Sequence, residues 1–197
     1  MENKKFTITE NDIIDIDSYI EQRNTIKKRI NQVKKNRRVH VGPHATFYFE
    51  SYDTMLYQIQ EMLFIERGGK EQMKDELKAY NPLIPKGESL IATLMFEIDN
   101  PNVRKNFLTS IGGIESNTFI KVNDNKIMAR AEDDTERTND EGKASSVHFL
   151  HFDFSESQKK DFLTPGLEIQ LGFNHQNYQH ISILSQNVVE SLGNDFS

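Results

Sequence analysis

The chain has 197 residues, a formal net charge of −6 and no cysteine. Hydrophobic residues make up 36% and charged residues 27%, and 13 Phe and 6 Tyr are enough to build a core. These figures exclude wholesale disorder, a disulfide scaffold, thiol catalysis and cysteine-bound metal centres, and they argue against a wholly electrostatic nucleic-acid binder.

Thr9 and Asp12 have the spacing of a capping box ahead of Ile13, Ile14 and Ile16. Tyr19, Ile26 and Val33 then recur at sevens beside Ile20 and Ile30, which predicts a long amphipathic N-terminal helix over 17–35. Two β-rich runs, 37–41 and 45–50, flank Gly42-Pro43 and predict a hairpin or bent strand pair. Ser51 opens a second helix to about Arg67, where Gly68-Gly69 stops it, and a third helix runs to Tyr80. The segment 81–87, with Pro82, Pro85 and Gly87, reads as a rigid loop.

A strand over 90–98 follows, then a helix opened by Asn100-Pro101 and closed by Gly112-Gly113. Strands over 118–122 and 126–130 turn about Asn123-Asp124-Asn125. The acidic segment 131–143 is expected to be a mobile surface loop. A strand over 146–154, a short helix capped by Ser155, strands over 167–173 and 178–184, and a terminal helix over 186–192 complete the chain. The short connections in the second half force antiparallel pairing. The expected class is α+β, a mostly antiparallel sheet with packed helices. One domain over 1–197 is expected, with 81–87 as the place of any subdivision.

Several chemistries lack their motifs. No glycines have G-x-G-x-x-G or P-loop spacing, no Ser sits in G-x-S-x-G, and H-E-x-x-H and Glu-x-x-His are missing. No cofactor or metal is expected. His148 and His151 are three apart on a strand and so face opposite sides; His40 with His44, and His175 with His180, each flank a turn. Acidic residues interrupt every candidate signal sequence, and no apolar run approaches the roughly 18–20 residues of a membrane span. A soluble cytoplasmic protein with no membrane association is the expectation.

Two segments carry candidate chemistry. The run 23–38 holds eight basic residues and no acidic one. It reads as a solvated helix face or as a contact for anions or nucleic acid, although the aromatic interleaving of single-strand binders is missing and nucleic acid is disfavoured. The helix over 52–67 is apolar nearly all round, so it is buried or lies in an interface. Glu50, Gln58 and Glu61 then sit on or beside a crowded element, and Arg37 or Arg38 could pair with their carboxylates. These five residues form either an internal ion pair or a ligand pocket. An enzyme reading would use Arg37 or Arg38 to bind a small anion and Glu50 or Glu61 as general acid/base.

Val41-Gly42-Pro43, Phe49-Glu50, Thr54, Gln58–Met62, Asn81–Pro85 and Ala92-Thr93-Leu94 together resemble the pattern of an uncharacterised bacterial family, over nearly the whole chain. Genes of that family are often found beside those for rubrerythrin and for an iron–sulfur oxidoreductase of the heterodisulfide-reductase type. The resemblance implies a setting in peroxide or redox defence and supplies no catalytic residues. The leading expectation is therefore a non-redox accessory or binding protein, with a homo-oligomer, rubrerythrin or the oxidoreductase as partner. An enzyme acting on a small anion and a nucleic-acid-associated regulator are the alternatives.

Overall fold

The structure is a computed structural model and describes residues 5–132 and 142–196. Its helices are α1 (Ile16–Lys35), α2 (Tyr52–Glu66), α3 (Gly69–Tyr80), α4 (Pro101–Ser110), α5 (Glu156–Phe162) and α6 (Gln186–Gly193). Its strands are β1 (Arg38–Val41), β2 (Ala45–Phe49), β3 (Ser89–Phe96), β4 (Thr118–Val122), β5 (Asn125–Met128), β6 (Arg130–Ala131), β7 (Val147–Asp153), β8 (Ile169–His175) and β9 (Tyr178–Ile183). The fold is α+β, and every strand pairing is antiparallel.

The strands form two sheets, ordered β1-β2-β3-β7-β6 and β5-β4-β8-β9. Alternation along each strand decides which layer a side chain enters. On β3, Leu90, Ala92, Leu94 and Phe96 join Phe47, Phe49, Ile120, Leu171 and Phe173 in the core between the sheets. The intervening Ile91 faces the other way, into a second core with Met55, Ile59 and Leu63 of α2. The molecule is thus layered: helices, first sheet, second sheet. Leu108, Phe162 and Leu192 of α4, α5 and α6 complete the inter-sheet core.

Two local expectations are corrected. The Thr9–Asp12 box does not cap α1; the Asp12 carboxylate accepts from the Thr9 backbone N–H at 2.9 Å and closes a separate 3₁₀ turn, Glu10–Asp12. Asp15 caps α1 instead, its carboxylate accepting from the Ser18 N–H at 3.0 Å. The strand expected over 126–130 is two strands in two sheets. After Ala129, whose N–H still donates to Thr118 at 2.9 Å, the chain leaves β4 and pairs with β7. The loop expected over 131–143 falls mainly on 133–141, outside the described residues.

The segment before α1 is held by two side-chain amides. Gln60 donates to the Ile14 carbonyl at 2.9 Å and accepts from its N–H at 3.1 Å. Asn81 makes the same two-way bond with Ile8, at 3.0 and 2.7 Å. Among the described residues, no helix is long and apolar enough to cross a membrane.

Candidate functional site

The first sheet's helix-facing side is not fully roofed. Tyr48, Thr93 and Phe149 lie side by side on β2, β3 and β7, with Thr46, Met95 and Val147 in the next row. The start of α2, the end of α3 and the end of α1 close over this floor and leave a cavity of about 270 Å³. Its roof includes Thr54, Met55 and Gln58 from α2, Tyr80 from α3, Leu83, Lys34 and Arg37.

Glu50 lines this cavity and is only 8% exposed. It follows β2 directly, and its N–H donates to the Ile91 carbonyl at 2.8 Å, which continues the sheet ladder by one residue. The carboxylate is held by two hydroxyls: Thr54 Oγ1 donates to Oε2 at 2.6 Å and Thr93 Oγ1 to Oε1 at 2.7 Å. No cation among the described residues forms an ion pair with it. Gln58 hydrogen-bonds the Tyr80 phenol, which burial pushes above its ordinary value. At the open end the Tyr48 hydroxyl donates to Glu97 at 2.9 Å. Glu97 also accepts from Thr46, and chiefly for that reason its carboxyl is held below the usual range.

The five residues singled out from sequence are not brought together as one cluster. Glu50, Gln58 and Arg37 share the cavity wall, but Arg37 is fully engaged. It donates to the carbonyls of Phe49, Glu50 and Ser191 at 3.0, 2.7 and 3.1 Å and pairs with Asp195. Arg38 is exposed, its guanidinium 5.2 Å from the Tyr48 ring centre. Glu61 lies outside the cavity, and its expected pairing with Arg37 or Arg38 is corrected. Arg23 Nε and Nη2 donate to its two oxygens at 2.8 Å each, and Tyr19 donates to Oε1. Seven residues from Thr54 is about 10 Å along a helix axis, which carries Glu61 past the sheet and against α1. The Arg23 guanidinium holds the Glu61 carboxyl below the usual range, against the opposing effect of burial.

The basic run 23–38 is likewise distributed. Arg23, Arg29 and Arg37 are ion-paired with Glu61, Asp53 and Asp195, while Lys34 and Arg38 stand over tyrosine rings. The histidines also bond locally. His148 and His151 face opposite sides as expected, bonding the Ser145 carbonyl at 2.9 Å and Glu132 at 2.8 Å. Among the described residues, no three His, Asp or Glu are placed to hold a metal ion.

Sequence reasoning missed Tyr80, Phe149 and Thr93 as cavity residues. Thr93 had a signal: apart from Ser89 at its start, it is the only polar residue of β3. Glu50, Thr54, Gln58, Leu83 and Thr93 all come from the segments that carry the family resemblance, and they meet at this cavity.

A family model described as "Protein of unknown function (DUF3501)" matches residues 7–196. A crystal structure of a novel protein of unknown function from Burkholderia pseudomallei is 34% identical. It superposes with a TM-score of 0.89, over 97% of this chain and 100% of the other. Comparison with curated proteins gives no match.

Proposed function

The chain belongs to this family of unknown function, DUF3501, and we propose that it is a small-molecule-binding accessory protein whose ligand site is the cavity between the first sheet and α2. The observation that carries this reading is Glu50, a buried carboxylate facing a mostly apolar cavity and supported, among the described residues, by two threonine hydroxyls. A buried charge is costly unless paired, so a carboxylate kept at a cavity wall points to use rather than to stability. A concave apolar site with a few convergent polar groups is the usual form of a ligand pocket, and about 270 Å³ suits a ligand of roughly one ring.

The gene neighbourhood implied by the family resemblance sets this binding role beside peroxide or redox defence in the cytoplasm. Rubrerythrin or the iron–sulfur oxidoreductase is then the partner class, and a homo-oligomer is the alternative assembly. The absence of cysteine supports an accessory rather than a thiol-redox role.

An amide NMR titration with benzyl alcohol, an uncharged one-ring probe, tests the site. The expected result is saturable shifts confined to Tyr48, Thr93, Phe149 and Tyr80 at millimolar probe. A spectrum without saturable shifts at these residues removes the cavity as a ligand site.

A further inference from the structure

We infer that the cavity selects an organic cation, an amine, amidinium or guanidinium carried on a body of about one ring, with Glu50 as its anionic partner. This rests on the ligand-site reading above and narrows it to one charge class.

The first argument is the unfilled capacity of Glu50. A carboxylate offers about four acceptor sites, and each oxygen here accepts one threonine hydroxyl. The remaining lone pairs have no donor among the described residues. The second argument is where the neighbouring cations are held. Arg37 lines the same cavity, but its guanidinium is committed to three carbonyls and to Asp195. Lys34 also lines the cavity, with its ammonium 5.4 Å from the Tyr57 ring centre. An anionic ligand would therefore meet the buried Glu50 charge and find the Arg37 guanidinium occupied, with the Lys34 ammonium, already over a tyrosine ring, as its cationic contact among the described residues, which turns the geometry against the small anionic substrate considered from sequence.

The third argument is the rest of the wall. Tyr48, Tyr80 and Phe149 supply aromatic rings, and Met95 and Val147 supply apolar surface. Ring faces attract cations, and apolar surface takes the body of the ligand. Charge-assisted bonds are about twice as strong as neutral ones. A cation thus recovers the cost of burying Glu50, whereas a neutral isostere recovers little of it.

The test compares benzamidine, benzyl alcohol and benzoate on the full chain by amide NMR titration. Benzamidine is expected to bind at the cavity residues about tenfold more tightly than benzyl alcohol, with benzoate the weakest. In Glu50→Gln the preference for benzamidine over benzyl alcohol should vanish, since the amidinium loses its ion pair with the carboxylate. If Glu50→Gln does not fold, the wild-type ranking decides alone. Equal or weaker binding of benzamidine, with benzyl alcohol still bound in the cavity, overturns the cation inference and leaves the ligand site standing. Benzamidine shifts confined to other acidic surfaces overturn it as well. Failure of all three probes at the cavity removes both.

Discussion

Glu50 and Glu61 are two carboxylates eleven residues apart with opposite surroundings. Glu61 has a guanidinium on both oxygens and a buried tyrosine hydroxyl beside them. Its side chain is 14% exposed and that of Arg23 is 33%, so the pair lies between surface and buried cases. Glu61→Gln should cost about 1–3 kcal/mol, more than an exposed pair and less than a fully buried one. Arg23→Met in the Glu61→Gln background should recover part of that loss. The pH dependence has a defined sign. The folded carboxyl titrates below its unfolded value, so its stabilisation is complete above about pH 4.3 and is lost as pH falls through the folded value. Urea melts at several pH values should show a constant gap between wild type and Glu61→Gln from pH 7 to about 5, narrowing below about 4.3. A gap that widens in acid contradicts the assignment.

At the scale of elements, the β1–β2 hairpin is fixed by a residue from the other sheet. The Tyr178 hydroxyl donates to the Val41 carbonyl at 2.8 Å and accepts from the N–H groups of His44 and Ala45 at 3.1 and 3.2 Å. Gly42, in the turn, has φ +69°, and a Cβ there would stand 2.6 Å from the His180 ring and 2.7 Å from the Tyr178 oxygen. Gly113 has a similar φ of +75° but open space around it. Both positions penalise a side chain through the backbone by about 1–2 kcal/mol. Only Gly42 adds overpacking, typically a further 1–3 kcal/mol or so. Gly42→Ala should therefore destabilise clearly more than Gly113→Ala in thermal melts. Equal losses would show that the contact with β9 is easily relaxed. Helix α2 shows the same dependence on neighbours. Its second apolar face is taken up by α1, with the rings of Tyr19 and Phe64 5.9 Å apart and Arg23 4.7 Å above Phe64.

For the whole molecule, β3 is the shared wall between two cores. Leu94 belongs to the inter-sheet core and Ile59 to the core under the helices, with Leu90, Ile91 and Ala92 pointing alternately into both. Arg37 and Asp195 add a tie between the start of β1 and the C-terminal turn. We propose on this basis that the chain unfolds as one cooperative unit despite the proline-bearing segment 81–87, whose Leu83 and Ile84 are themselves in the core under the helices. Leu94→Ala and Ile59→Ala should each cost about 2–5 kcal/mol. Each should shift the helical circular dichroism and the tyrosine fluorescence transitions together. Non-coincident transitions, with Ile59→Ala moving only one, would mean two separately folding parts.

Local physics made most of the elements legible. Ser51, Asn100 and Ser155 cap the helices they were read to cap, because capping depends on a few neighbouring residues. The turn at Asn123 and the alternation of Leu90–Phe96 were readable for the same reason, and with them the antiparallel α+β class. The site was legible only in part. Glu50 and Gln58 were visible as polar groups beside an apolar helix, but their surroundings were not. The pairing of Glu61 with Arg23, the engagement of Arg37 by Asp195 across 158 positions, and the approach of Thr93 to Glu50 are contacts between distant segments. The switch of the chain from β5 to β6 belongs with them. Most elements, though not the β5–β6 break or the cap of α1, follow from local residues, since capping and period act over a turn or a strand. Tertiary structure alone decided which charges are satisfied and which carboxylate is left facing a cavity, because Coulomb and packing terms depend on distances that only the assembled layers define.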